Sequence, residues 1–242
     1  MRCKGDIHVD AALARLAARQ HGVVARRQLL ELGFGARAID RRIARAWIHP
    51  VHRGVYAVGH TALSARGRFT AAVLAAGGGA RLSHRAAGAL WAISGGSVAV
   101  VDVTVAGNRR ARPGLRIHRA TLAPDEVTVH DRIPVTTPAR TLLDLAQVLA
   151  PHRLERAVHE AEYLRLASPL SLDALLARHA GRRGTAALRA IVDRKRIGAH
   201  RTRTDFEAAF LALLDDHDLP RPRRTNVHVA GHEVDALWRT SA

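Results

Sequence analysis

The first 60 residues combine helical periodicity with a closing pair of short extended runs. Apolar residues recur at helical spacing in Asp10–Gln20, Ala25–Leu32 and Ala36–Trp47. Extended runs rich in β-branched and aromatic residues follow at Trp47–Pro50 and Arg53–Gly59, joined by a polar turn. Three helices followed by a β-hairpin are the order of a winged helix-turn-helix. We therefore predict this fold for residues 1–60.

The third helical segment carries different chemistry on its two sides. Ile39, Ile43 and Ala46 follow the spacing of a buried stripe, and arginines follow the opposite face. A basic helix of this kind suits the major groove of DNA, where cations neutralise phosphates. An ordinary solvated basic face is the alternative. The predicted DNA-binding residues of this region are Arg26, Arg27, Arg37, Arg41, Arg42, Arg45 and Arg53.

The charge of the whole chain agrees with a polyanionic partner. Lys and Arg total 38 against 21 Asp and Glu, which gives a formal net charge of +17. Part of this excess is typical of the Arg- and Ala-rich composition that a high-GC genome encodes. Duplex DNA is the expected partner, and structured RNA stays open because a basic winged helix does not by itself distinguish the two.

The rest of the chain predicts a mixed α and β organisation. Residues 61–198 contain helices, four extended runs and a helix opened by Thr137 and Pro138, with Ser83 predicted to cap a helix that exposes His84 and Arg85. In residues 199–242 a polar stretch after Gly198 precedes a further helix and a hairpin. The overall fold class predicted is therefore α+β, with three domains.

Three sequence runs together resemble the AbiEi family of bacterial antitoxins. They are His49–Tyr56, Leu82–Ala87 and Thr136–Leu145. The resemblance covers roughly residues 10–165. It implies a winged-helix domain that binds the chain's own promoter and a second, α/β antitoxin domain that counters a nucleotidyltransferase-like toxin. The function it implies is a DNA-binding antitoxin and transcriptional autorepressor.

The C-terminal residues resemble a different group, the PD-(D/E)XK endonucleases related to very-short-patch repair. Thr204–Glu207 and Glu233–Trp238 match the opening of such a domain, and by resemblance Glu207 and Asp235 occupy metal-site positions. The strand expected to supply an acidic or lysine partner is missing before Ala242, so this part is predicted to be an incomplete remnant. An endonuclease steered by the winged helix is the alternative function, and we expect the chain to be inactive in cleavage.

Other residue patterns argue against a cofactor, a metal and catalysis. Cys3 is the single cysteine, and His228 with His232 lacks further clustered ligands. No phosphate-binding loop with Lys, no Gly-x-Ser-x-Gly and no His-Glu-x-x-His occurs. The first 30 residues lack an apolar signal core, and Asp102 interrupts the run Val98–Val105. We therefore expect a cytoplasmic, non-membrane protein that is not an enzyme.

Overall fold

The computed structural model describes residues 4–95, 99–109, 112–166, 169–217, 219–220, 222, 224–229 and 232–238. The chain divides into two compact units, Met1–Arg189 and Ala190–Ala242. The domain boundaries predicted near residues 60 and 198 stay predictions.

The first part of the larger unit has the element order of a winged helix. Its elements are α1 (Lys4–Arg19), β1 (Val23–Ala25), α2 (Arg26–Glu31), α3 (Ala36–Ala44), β2 (Ile48–His52) and β3 (Val55–Val58). The strands form an antiparallel sheet of order β1-β3-β2. The predicted three helices and hairpin are confirmed. Strand β1 was not predicted, because three buried residues give no alternating pattern.

Helix α3 is shorter than the sequence predicts. It ends at Ala44 with Arg45 as its C-cap, and Ala46 has a φ of 54°. This left-handed backbone cannot continue a right-handed helix. Ala46 is exposed, so its predicted place on the buried stripe is wrong, whereas Ile39 is fully buried. The change of direction at Ala46 starts the wing immediately after α3.

A mixed five-stranded sheet forms the second part of the larger unit. Its order is β6-β5-β4-β8-β7, with β5 parallel to β6 and β4 parallel to β8. The elements are α4 (Ala65–Ala76), β4 (Arg81–Leu82), α5 (His84–Leu90), β5 (Val101–Val105), β6 (Leu115–Arg119), a 3-10 turn (Pro124–Glu126), β7 (Val127–His130), β8 (Ile133–Thr136), α6 (Pro138–Leu145), α7 (Pro151–Tyr163) and α8 (Pro169–Arg178). The predicted α+β class is confirmed for this unit.

One apolar core joins the winged helix to this sheet. Val23 of β1 and Val55 of β3 are buried in the same cluster as Phe69 of α4 and Val103 of β5. The other face of the small sheet covers a second cluster that includes Leu29, Ile39 and Tyr56. Both faces of the winged-helix sheet are therefore covered, and the first 60 residues depend on α4 for part of their core.

The C-terminal part differs from the prediction in its helices. A single helix, α9 (Thr185–Asp216), replaces the two helices that were expected to be separated after Gly198, so that prediction is wrong. An isolated helical Gly costs only about 1 kcal/mol and is tolerated inside a long helix. Strands β9 (Arg224–Val229) and β10 (His232–Leu237) pair antiparallel, which confirms the predicted hairpin.

Long apolar helices are absent from the described residues. None of the helices there is long and apolar enough to span a bilayer.

Candidate nucleic-acid interface

Helix α3 and its C-cap present a row of exposed arginines, of which Arg45 lies over the Trp47 ring at 5.8 Å. Arg37, Arg41 and Arg45 are exposed and follow each other at intervals of four residues, which places them on one side of the helix. Ile39 points into the core and fixes the orientation of the helix. None of these three arginines has an acidic partner among the residues that the structure describes. Their charge is available to an external anion.

Arg42 has a different environment from its neighbour Arg41. Its Nη2 atom lies 2.7 Å from Asp10 Oδ1, and its side chain is only 15% exposed. The guanidinium lies 4.3 Å from the ring centroid of Phe34 and 5.9 Å from that of Trp47. Arg42 therefore links α3 to α1, and its charge is already neutralised inside the domain. This geometry disfavours the predicted contact of Arg42 with DNA.

The start of α2 lies against both α3 and the wing. Arg26 donates through Nη1 to Tyr56 Oη at 3.2 Å and approaches Asp40 Oδ1 at 3.5 Å. Its backbone amide donates to the Gly54 carbonyl at 2.8 Å. The hydrogen bond with Tyr56 raises the pKa of Arg26, so this cation stays charged. Arg26 is half-buried as a linking residue, whereas the adjacent Arg27 is exposed.

The wing places one arginine at its tip. Arg53 is exposed in the turn between β2 and β3, and Gly54 has a φ of 77°, which glycine accepts without strain. The Arg53 carbonyl accepts a hydrogen bond from Arg112 Nη1 at 3.3 Å. Burial and the nearby Arg112 lower the pKa of His52, the histidine that precedes Arg53. Arg53 therefore supplies the cation of this turn.

The fold brings part of the predicted DNA-binding residues close together. The Arg26 to Gly54 hydrogen bond places the beginning of α2 beside the wing tip, and the Arg26 to Asp40 contact places it beside α3. The exposed members without an acidic partner in the described part of the chain are Arg27, Arg37, Arg41, Arg45 and Arg53. Such a set can neutralise phosphates while a helix enters a groove.

His84 is buried rather than exposed, which corrects the sequence prediction. It is 3% exposed, has a φ of 47° and stacks on the His118 ring at 3.6 Å between centroids. Burial lowers its pKa to about 2, with a further contribution from His118. Ser83 does not cap the helix through its side chain. Its hydroxyl lies 3.0 Å from His84 Nδ1 and accepts from Thr104 Oγ1 at 2.9 Å.

A buried ionic network surrounds Arg140 of α6. Arg140 is completely buried and pairs with Glu126 at 2.8 Å and with Asp144 at 2.9 Å. Arg182 also reaches Asp144 at 2.9 Å, and His179 lies 2.5 Å from Glu126. Burial alone would raise the pKa of Glu126, but the hydrogen bond with His179 and the charge of Arg140 hold it below its usual value.

Burial is the stronger influence at Asp144. It raises the pKa of this carboxyl group, and the charges of Arg140 and Arg182 oppose the change. Sequence patterns do not predict this network, because charged residues are ordinarily expected on the surface. One signal was present: Arg140 and Asp144 stand four residues apart in a helix that is otherwise mostly apolar.

The endonuclease-like residues occupy regular backbone elements. Glu207 lies in α9 and Asp235 in β10, and the side chains of both lie outside the described residues. The same holds for His228 in β9 and His232 in β10. Trp238, next to this hairpin, contacts Phe210 edge to face at 6.4 Å and donates to the Pro220 carbonyl at 2.7 Å. Trp238 nevertheless remains exposed, so these contacts do not make it a core residue.

Comparison with solved structures finds a similarity to the crystal structure of RV2827C protein from Mycobacterium tuberculosis. The identity is 17%, the TM-score is 0.47, and the similarity covers 76% of each chain. No curated protein matches the sequence.

Two family models match separate regions of the chain. Residues 11–59, which contain α2, α3 and the wing, match the model described as transcriptional regulator, AbiEi antitoxin. Residues 83–194 match the AbiEi antitoxin C-terminal domain. Neither model describes an endonuclease, so the predicted remnant in residues 199–242 receives no support. These two regions of the chain are therefore similar to the N-terminal and C-terminal domains of the AbiEi antitoxins.

Proposed function

We propose that this chain is a DNA-binding antitoxin that represses transcription from its own promoter. The observation that carries the proposal is the free arginine row of α3 in a helix-turn-helix arrangement. Arg37, Arg41 and Arg45 face outward, and the buried Ile39 holds the helix in place. The family matches over residues 11–59 and 83–194 support the same function.

In this proposal α3 is the recognition helix and enters the major groove. Arg37, Arg41 and Arg45 contact phosphates and base edges, while Arg27 contacts the backbone beside the groove. Arg53 reaches the adjacent minor groove from the wing tip. Arg26 and Arg42 hold this surface together through Tyr56, Asp40 and Asp10. The interface thus consists of five contacting arginines and two that position them.

The test of DNA binding uses the full chain and duplex DNA from upstream of its own coding sequence. Affinity measured across several salt concentrations should fall steeply as salt rises, because binding releases counterions. Arg41→Ala should weaken binding roughly tenfold, about 1.4 kcal/mol, and reduce the salt slope by about 0.9. Arg189→Ala removes an exposed arginine from the beginning of α9 and serves as the control with an equal change of charge.

Two results would contradict this assignment. Equal affinities of the unaltered chain and Arg41→Ala at every salt concentration would remove α3 from the recognition role. Tighter binding to structured RNA of the same length than to the promoter duplex would instead favour an RNA-binding regulator.

The antitoxin part of the proposal assigns the second domain, around residues 61–198, to neutralisation of a nucleotidyltransferase-like toxin. A gene for such a toxin is expected beside the gene for this chain, and co-expression should relieve the growth arrest that the toxin causes. Arg41→Ala should still rescue growth when expressed from an unrelated promoter, because its defect is confined to DNA binding. Failure of the unaltered chain to rescue growth would leave a stand-alone regulator as the better account.

We further propose that the chain acts in the cytoplasm as a binding protein and not as a nuclease. Incubation with supercoiled and mismatched DNA in magnesium or manganese should leave the DNA intact, since Glu207 and Asp235 are too few carboxylates for the metal site of a nuclease. Cleavage that a chelator abolishes and Asp235→Ala eliminates would overturn this assignment.

A further inference from the structure

A cleft of about 940 Å³ opens in the second domain, apart from the residues assigned to DNA binding. Four arginines from three elements line it: Arg85 of α5, Arg116 of β6, and Arg153 and Arg156 of α7. Glu160 is the acidic residue among the lining residues. Clefts of this volume hold small molecules. A cleft lined by four guanidinium groups favours an anionic ligand.

Two of these arginines lack an acidic partner in the described residues, and the other two make contacts that fix their positions. Arg153 and Arg156 are exposed, and within the described part of the chain neither has an acidic partner. Arg116 Nη1 lies 3.7 Å from Asp102 Oδ1, and Arg85 donates to the Val148 carbonyl. The cleft thus combines positioned guanidinium groups with free ones, an arrangement suited to binding several phosphate oxygens at once.

Helix α7 adds to the positive potential of the cleft. It begins at Pro151, two residues after the lining residue Leu149, and Arg153 lies in its first turn. Its N-cap is Ala150, whose side chain has no oxygen to cap the turn, and the Arg153 amide donates to the Ala150 carbonyl at 3.0 Å. The positive end of the helix dipole therefore lies at the same side as the arginines and favours negative charge there.

The cleft also has an apolar wall. Val100 and Leu149 line it beside small residues, and Val100 is exposed, whereas Ile93 at the same wall is almost fully buried. Inorganic phosphate has no apolar part to cover such side chains. A ligand with a flat, weakly polar ring joined to phosphates complements both walls, and the carboxylate of Glu160 can accept hydrogen bonds from a sugar hydroxyl or a base amino group.

We propose that this cleft binds a nucleoside polyphosphate. The phosphates contact Arg85, Arg116, Arg153 and Arg156, and the base lies along the aliphatic wall. This site is additional to DNA binding by α3 and does not depend on it.

Calorimetric titration of the full chain with GTP, ATP, tripolyphosphate and guanosine tests the proposal. A saturable signal with one site is expected for at least one nucleotide, with weaker binding of tripolyphosphate and of guanosine. Arg153→Ala combined with Arg156→Ala should weaken nucleotide binding about 100-fold, tenfold for each lost phosphate contact. The control combines Arg183→Ala with Arg189→Ala, which removes two exposed arginines elsewhere and should change binding less than twofold.

Three results would overturn the proposal. One is the absence of saturable nucleotide binding in the unaltered chain, and a second is an equal loss in the control variant. The third is binding of tripolyphosphate as tight as that of the nucleotides, which would reduce the cleft to a general anion site. Promoter binding by the Arg153 and Arg156 variant, expected to be unchanged, separates this test from that of the proposed function.

Discussion

Arginine occupies two opposite environments within the larger unit. On α3, Arg37, Arg41 and Arg45 face solvent without an acidic partner in the described residues. On α6, Arg140 is completely buried and bound by Glu126 and Asp144. The charge of the first group is available for a ligand, whereas that of Arg140 is neutralised internally. A high net charge therefore indicates function only after the environment of each cation is known.

The largest expected effect is at Arg140. Arg140→Ala leaves the carboxylates of Glu126 and Asp144 buried without their main partner, and it should lower the free energy of unfolding by about 3–5 kcal/mol. Urea denaturation of the full chain measures this change. Arg140→Lys keeps the charge but loses the paired guanidinium geometry, so it should cost less and remain measurable if the alanine variant does not fold.

The exposed Arg183 provides the control for this measurement. Arg183→Ala should change the free energy of unfolding by less than about 0.5 kcal/mol. A loss below about 1 kcal/mol for Arg140→Ala would contradict the distinction between internal and external arginines.

An intermediate effect is expected from pH. Burial lowers the pKa of His84 from 6.5 to about 2, so on acidification the unfolded chain takes up this proton before the folded chain does. Above pH 6.5 His84 is mostly neutral in both states, so it does not make stability depend on pH. Below pH 6.5 proton uptake by His84 in the unfolded chain lowers the free energy of unfolding, by about 2 kcal/mol at pH 5. On going from pH 7 to pH 5, the unaltered chain should therefore lose about 2 kcal/mol more unfolding free energy than His84→Asn does.

Asparagine is the suitable replacement for His84, because it accepts the left-handed backbone at a φ of 47°. Identical pH dependence in the two proteins would show that His84 does not control the acid sensitivity of the second domain.

The smallest effect distinguishes two adjacent residues of α3. Arg42→Ala removes the pair with Asp10 and the contact with Phe34, and it should lower the free energy of unfolding by about 1 kcal/mol. Arg41→Ala should change it by less than about 0.5 kcal/mol and instead weaken DNA binding. Thermal unfolding and DNA titration of both variants measure the two properties. The reverse ranking would contradict the division of α3 into a contacting and a packing arginine.

The sequence predicts most regular elements of the winged helix and the second sheet correctly. The spacing of Ile39 and Ile43, and the paired extended runs after Trp47, are local patterns that survive in the structure. The sequence does not predict strand β1, because this strand forms only by pairing with β3. The paired residues Val23 and Ala57 lie more than 30 positions apart in the chain. The expected break after Gly198 was wrong, since a single glycine does not interrupt the helical preference of its neighbours over α9.

The candidate site divides in the same way. The sequence alone identified the helix that carries the arginines, because an amphipathic stripe depends only on residues three and four positions apart. The tertiary structure decided that Arg41 is free and Arg42 is neutralised, because that difference depends on Asp10, 32 positions away. It likewise buried His84 against His118 and enclosed Arg140 between Glu126 and Asp144. Local periodicity sets which residues share a face, whereas burial and charge pairing depend on segments that meet only when the chain folds.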